Sequence, residues 1–563
     1  MKGFGKEFSN KAKKSNDSLI KKVDYALAIH AKGNIKQALI YYNQIIRSGI
    51  EDPRVYSALG FISLQNSEIE KAIKYNLKSI AISPQYAPGH SNLAVLFCQK
   101  GNYDQAEKHI REAIKINPIV AKSFLNLGEI LSKKFELNKA EEEIRHAITL
   151  EPNMIEAYYI LTKILIEKED YMEAEKVIKK VINKSPSSAK SHFMLHQIYS
   201  DSGKLSKAKD SLYKTIELDP KFALAYDSLS RFPNCEKDLN FVNKLSHLNL
   251  KEINSTEDKI NILFAQSNIL HRKKQYEESA VFLNKANKLK LTIYNSTASQ
   301  LIKVSKDYLI KTMKFKKNRG EEVEKNQECI FLVGMPRSGS TLIETILNAN
   351  TNVIGMGERP LVEMSLKKIL SSDKESKVNN TLDKLYLSER SKFVKPGFTS
   401  TDKYLHNYIY LGYILNSLPY AKIIHCFRNP LDNILSIYKA NFGEGIRFAS
   451  SLKDCARVYI NHIEIIKEYQ KRFPSNIYSL NYDLLVTNPA IEIKKLIEWL
   501  NWEWNQIYLS PQNVNRNIKT ASVIQVRSPI NAKSLNGWEK YRKMLKPAIA
   551  ELESNNLMDY IYK

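Results

Sequence analysis

The sequence predicts two architectures in series: an all-α superhelix of helical repeats, then an α/β domain with a mostly parallel sheet and a P-loop-like phosphate-binding loop. Three observations carry this expectation. Alanines recur every 34 residues through the first part of the chain; an apolar run, Ile330–Val333, breaks into a glycine-containing loop and re-emerges as a helix; and a second strand-loop-helix follows at 421–436. A chain of 563 residues exceeds what one core usually serves, so several folded parts are expected.

Residues 1–19 read as a basic, polar tail without the apolar stretch of a secretory signal, which points to a cytoplasmic protein. Residues 20–225 read as about six helical repeats. Ala38, Ala72, Ala106, Ala140, Ala174 and Ala208 are each 34 apart, and Pro84, Pro118, Pro152, Pro186 and Pro220 keep the same step. Leu59, Leu93, Leu127, Leu161 and Leu195 mark the first helix of each unit, and Gly33, Gly101 and Gly203 fall in the turn between helices. A small Ala lets two antiparallel helices approach, Leu fills the layer between them, and Pro stops one helix running into the next. This pattern resembles the tetratricopeptide repeat. The resemblance implies a stacked superhelix with a concave face for a protein partner. Ser67, Phe135 and Glu169 stand where the turn favours glycine.

After Pro220 the register is lost, because Val242 occupies the next alanine position. Gln275–Ser279 resembles Asn102–Ala106, so residues 226–313 are expected to be helical, with one degenerate repeat. The stretch 314–328 is charged and nearly free of apolar residues, and the domain boundary is expected there.

Residues 329–563 open on the phosphate cradle. Ile330–Val333 has the composition of a buried strand, Gly334, Pro336 and Gly339 permit a tight turn, and Ser340 and Thr341 begin a helix. Unpaired N–H groups and the helix dipole favour an anion there. A nucleotide P-loop would continue from Gly339 with Lys, whereas this chain has Ser340 and carries its cation inside the loop as Arg337. A kinase or ATPase is disfavoured on that ground. Pro336, Arg337, Ser338, Gly339, Ser340 and Thr341 resemble the 5′-phosphosulfate-binding loop of sulfotransferases, particularly the tyrosylprotein sulfotransferases.

That resemblance implies the remaining site. Arg428 and Ser436, in the second strand-loop-helix, match the pair holding the 3′-phosphate of 3′-phosphoadenosine 5′-phosphosulfate (PAPS). Glu358, 21 residues after Arg337, matches the catalytic base, and Lys403, 25 before Arg428, the active-site lysine. Ser522 matches a sulfonate-contacting serine in a stretch that closes over the nucleotide with Trp538, although Val523 and Ile524 replace its usual polar neighbours. Tyr482 matches a tyrosine near the nucleotide. The implied acceptor is a protein or peptide tyrosine; a glycan, lipid or small hydroxylated molecule stays open. So does a repeat scaffold with an inert nucleotide-binding domain.

Composition sets the wider limits. The net charge of +25 is compatible with nucleic acid, an anionic membrane surface or an acidic substrate, but the lysines are spread diffusely, as on a solvated surface. Tyrosines in the repeats keep helical spacing and read as core rather than as a nucleic-acid stacking platform. No apolar run reaches the roughly 18 residues of a membrane span. Five scattered cysteines form no CxxC pair, no metal-ligand spacing occurs, and His425 and His462 read as structural, so no metal is expected.

Overall fold

The computed structural model describes residues 21–315, 328–371, 381–514 and 528–557. It divides into two compact units, residues 1–198 and 199–563. Among the described residues no helix is long and apolar enough to cross a membrane.

The first unit is built of paired helices. Ile35–Arg47 is followed by Pro53–Gln65, Ile69–Ile82, Ala87–Gln99, Tyr103–Ile116, Ala121–Lys133, Leu137–Leu150, Ile155–Glu167 and Tyr171–Lys184, alternating 13 and 14 residues in length from Pro53 onward. The 34-residue period is borne out. Ala38, Ala72, Ala106, Ala140 and Ala174 are completely buried, and Leu93, Leu127 and Leu161 are 1% exposed or less. Fully burying each leucine contributes about 1.5–3 kcal/mol. The turns explain the glycines: Gly33, Gly101 and Gly203 have φ of 81°, 74° and 81°. Ser67, Phe135 and Glu169 hold φ of 61°, 58° and 63° at the same place, at a cost of about 1–2 kcal/mol each.

The second unit begins in helices. Thr256–Arg272 and Tyr276–Ile293 form an antiparallel pair with Lys274 (φ 62°) in the turn and Ser279 buried where the repeats place Ala. Ala298–Met313 follows. These helices do not pack as a separate layer. Phe264, Leu283, Ala286 and Ala298 share one core with Leu431, Ile434, Tyr459, Trp538 and Leu545 of the later chain. The compact units therefore divide at 198/199, upstream of the charged stretch at 314–328, of which 316–327 lie outside the described residues.

The sheet of the second unit has five parallel strands in the order β2-β3-β1-β4-β5. They are β1 (Cys329–Gly334), β2 (Val353–Gly355), β3 (Thr399–Asp402), β4 (Lys422–Phe427) and β5 (Ile477–Asn481). β1 is central and buried throughout, as its unbroken apolar run requires. Its side chains alternate between two cores: Phe331 and Val333 join Ile423 and Ile477 on one face, Ile330 and Leu332 join Ile424 and Leu480 on the other. From β1 the chain leaves toward one edge, to β2, and from the adjacent β4 toward the other, to β5, so the carboxyl ends of β1 and β4 form the switch point where such sheets place ligands.

Candidate active site

At the carboxyl end of β1 the loop 335–339 leads into the helix Ser340–Leu347. Gly339 has φ 93°, and a Cβ there would fall 2.2 Å from the Tyr482 ring, so no other residue fits beneath that tyrosine. Arg337 is itself left-handed at φ 66°, a strained backbone of the kind that accumulates at functional sites. The Ser338 hydroxyl is buried without a hydrogen-bond partner, and Ser340 and Thr341 are buried at the helix start.

The helix Pro430–Lys439 lies along this loop. Asn433, fully buried, donates to the Pro336 carbonyl at 2.9 Å, and Arg337 Nε donates to Ser436 Oγ at 3.2 Å. Burial, then the neighbouring Arg231 and Arg428, push the Arg337 guanidinium down to about 10, which leaves it cationic at neutral pH.

β3 delivers the second part of the site. Lys403 directly follows β3, fixed by its own N–H on the Gly357 carbonyl at 3.0 Å. Its side chain is 1% exposed, and Nζ lies 2.8 Å from Glu358 Oε1, 3.5 Å from Thr341 Oγ1 and 3.7 Å from Glu344 Oε2. Glu344 is completely inaccessible, whereas the Glu358 side chain is 50% exposed. The adjacent Arg359 stacks over the Phe393 ring at 4.2 Å. Beside Lys403, burial raises the Asp402 carboxyl to about 7 although Tyr386, Asn407 and the Tyr404 N–H all donate to it.

Arg428, at the end of β4, is held by carboxylates and a backbone carbonyl. It lies 3.5 Å from Asp432 and 3.7 Å from Asp483, donates to the Ser534 carbonyl at 3.0 Å, and packs 5.0 Å from the Tyr482 ring centroid. Asp432 in turn accepts from the N–H groups of Asn536 and Trp538, which ties the C-terminal segment to this corner. The structure thus brings Lys403, Glu358 and Thr341 together, and Arg337 with Ser436. Ser522 lies outside the described residues, while Trp538 is buried.

Three polar residues escaped the sequence reading. Glu344 gave no signal, because its relation to Lys403 exists only across the sheet. Asn433 and Lys439, three residues either side of Ser436, did carry one: a polar stripe at helical spacing. His425 is buried, donates to or accepts from Ser479 at 3.0 Å, and burial pushes it down to about 3; it packs edge-on against His462, as structural residues do. Among the described residues no group of three or more His, Cys, Asp or Glu side chains is placed to hold a metal ion.

Comparison with known proteins agrees with this layout. Residues 329–506 match the sulfotransferase family, and residues 87–119, 121–154 and 189–222 match tetratricopeptide repeats. An uncharacterized protein of Aquifex aeolicus (strain VF5) is 30% identical over 310 residues, covering 52% of this chain and 41% of its own. A protein-tyrosine sulfotransferase of Drosophila melanogaster is 24% identical over 271 residues, 44% of this chain and 53% of its own. The chain spans about half the length of these curated relatives. Among solved structures, YrrB, described as a TPR protein with an unusual peptide-binding site, is 21% identical, with a TM-score of 0.29 over 33% of this chain and 96% of its own. The chain carries tetratricopeptide repeats within residues 87–222 and a sulfotransferase domain over residues 329–506.

Proposed function

We propose that this protein is a PAPS-dependent sulfotransferase that sulfates an acceptor hydroxyl, with a protein or peptide tyrosine as the favoured acceptor. The observation that carries this is the buried Lys403 ammonium, 2.8 Å from a half-exposed Glu358 and 3.5 Å from Thr341 at the head of the cradle helix. A fixed cation, a solvent-reachable carboxylate and an anion-binding helix end thereby meet at one point.

The residues present fit the donor. The buried, unpartnered Ser338 hydroxyl and the first-turn N–H groups of the helix are suited to its 5′ end, and Arg337, Ser436 and Arg428 supply polar and cationic contacts for its phosphates. When bound, PAPS supplies the sulfuryl group and a bisphosphate leaving group. Glu358 takes the acceptor's proton, for a phenol of pKa about 10 is mostly protonated at neutral pH. Lys403 faces the charge that grows as the bond to the leaving group breaks.

The name of the Drosophila relative supports a tyrosine acceptor, and the repeats support recruitment of that acceptor or of another protein. Five free cysteines fit a reducing, cytoplasmic setting. Transfer of radiolabelled sulfate from PAPS to a tyrosine peptide tests the whole assignment. Label on tyrosine supports it; transfer only to glycan, lipid or small-molecule acceptors moves the acceptor class; no transfer together with no binding of adenosine 3′,5′-bisphosphate overturns it.

A further inference from the structure

The helix Pro430–Lys439 carries Asn433 and Ser436 against the phosphate loop, so its placement sets where those side chains stand. An α-helix ends in carbonyl groups without intrahelical partners and in the negative end of its dipole. Here the partners come from far upstream. Asn287, 1% exposed on the helix Tyr276–Ile293, donates to the Tyr438 carbonyl at 3.0 Å. Lys290, one turn further on, donates to the Phe442 carbonyl and, at 3.0 Å, to Asn441 Oδ1 just past the helix end. The Tyr438 hydroxyl donates to Asn284 at 3.0 Å. Asn284, Asn287 and Lys290 follow at intervals of three and share one face.

Two more helices close the cap. Asn441 Nδ2 donates to Asn261 Oδ1 at 2.7 Å and to Asp227 Oδ2 at 3.3 Å, from the helices Thr256–Arg272 and Ala223–Ser230. Asp227 also accepts from Arg231 at 2.6 Å. Asp227, Asn261, Asn287 and Lys290 are all buried. Burial pushes the Lys290 ammonium down to about 8, which leaves it cationic at neutral pH, at the negative end of the helix dipole. Apolar side chains would hold this contact with less desolvation, whereas a hydrogen-bonded network admits one arrangement.

We propose that Lys290 and Asn441 are positioning residues of the donor site: the helical segment 223–293 caps the helix Pro430–Lys439 from its C-terminal end and thereby sets Ser436 against Arg337. This inference rests on the sulfotransferase reading above. It makes residues 223–293 part of the donor-binding unit, although the sulfotransferase family match begins at residue 329.

The test is calorimetric titration of the full chain with adenosine 3′,5′-bisphosphate, at a temperature where each variant keeps the wild-type circular dichroism. Ser436→Ala should weaken binding about fivefold, the loss of one hydrogen bond. Lys290→Met, which removes the ammonium, and Asn441→Ala, at a half-buried position, should each weaken it about threefold or more. Because both act through the placement of Ser436, adding Ser436→Ala to either should cost less than about twofold further. A merely structural clip would lower the melting temperature and leave affinity unchanged. If wild type binds and any of the three single variants binds as tightly, or if Ser436→Ala adds its full loss in the other backgrounds, the inference is wrong while the sulfotransferase reading stands. If wild type does not bind the bisphosphate, that reading falls, and this inference with it.

Discussion

Lys403 and Glu358, 45 residues apart in sequence, form a 2.8 Å ion pair in which the ammonium is buried and the carboxylate half-exposed. That asymmetry separates their tasks: an acceptor can approach the carboxylate but not the lysine from solvent. Glu358→Gln should leave bisphosphate affinity within about twofold of wild type and lower kcat by a factor on the order of 10²–10⁴, as for a lost general base. Rapid-quench measurement of sulfate transfer checks this. Wild-type kcat with a phenolic acceptor of high pKa would remove Glu358 from the mechanism.

Lys403 has a second neighbour, the inaccessible Glu344 at 3.7 Å, and this couples chemistry to stability. Lys403→Met takes a cation away from a buried carboxylate, for which a loss of about 3 kcal/mol is expected. Adding Glu344→Gln should restore much of that stability without restoring transfer. Paired thermal melts and turnover assays distinguish the two effects; equal stability of single and double variants would show that Glu344 does not depend on Lys403.

Arg428 is bound to Asp432, Asp483 and the Ser534 carbonyl. Arg428→Ala is accordingly expected to lower the melting temperature by several degrees and to narrow the preference for adenosine 3′,5′-bisphosphate over the 5′-monophosphate. A variant that loses stability yet keeps the full preference would make Arg428 a clip for the C-terminal segment rather than a 3′-phosphate ligand.

What the sequence made legible was what repeats or alternates. The 34-residue alanine step, the apolar run of β1 and the strand-loop-helix around Arg428 each describe local packing, and each appears where the residues put it. Glu344 beside Lys403 was illegible because folding, not spacing, joins them. The same holds for the helices 256–313. Their composition resembles a fading repeat, but whether Phe264 and Leu283 face the preceding repeats or the sheet domain depends on the complementary surface of Leu431 and Ile434, far along the chain.

That shared core determines what proteolysis should yield. The charged stretch 314–328 offers little to bury, so limited trypsin treatment should cut the chain there. Just before it and at its start, Thr312 bonds the Tyr469 hydroxyl at 2.7 Å, and Arg472 donates to the carbonyls of Thr312 and Phe315 at 2.6 and 2.5 Å. Asn461 reaches Ser305 at 2.8 Å, and Phe264 and Leu283 lie in the core with Tyr459 and Trp538. A chain cut once in this stretch should therefore not separate. The two pieces are expected to co-elute in gel filtration, to part only in denaturant, and to retain nucleotide binding, because the core beneath the site is shared by both. If the nicked protein falls into two freely eluting pieces, and the C-terminal piece alone binds adenosine 3′,5′-bisphosphate with wild-type affinity, then the helices 256–313 contribute neither to that core nor to the site.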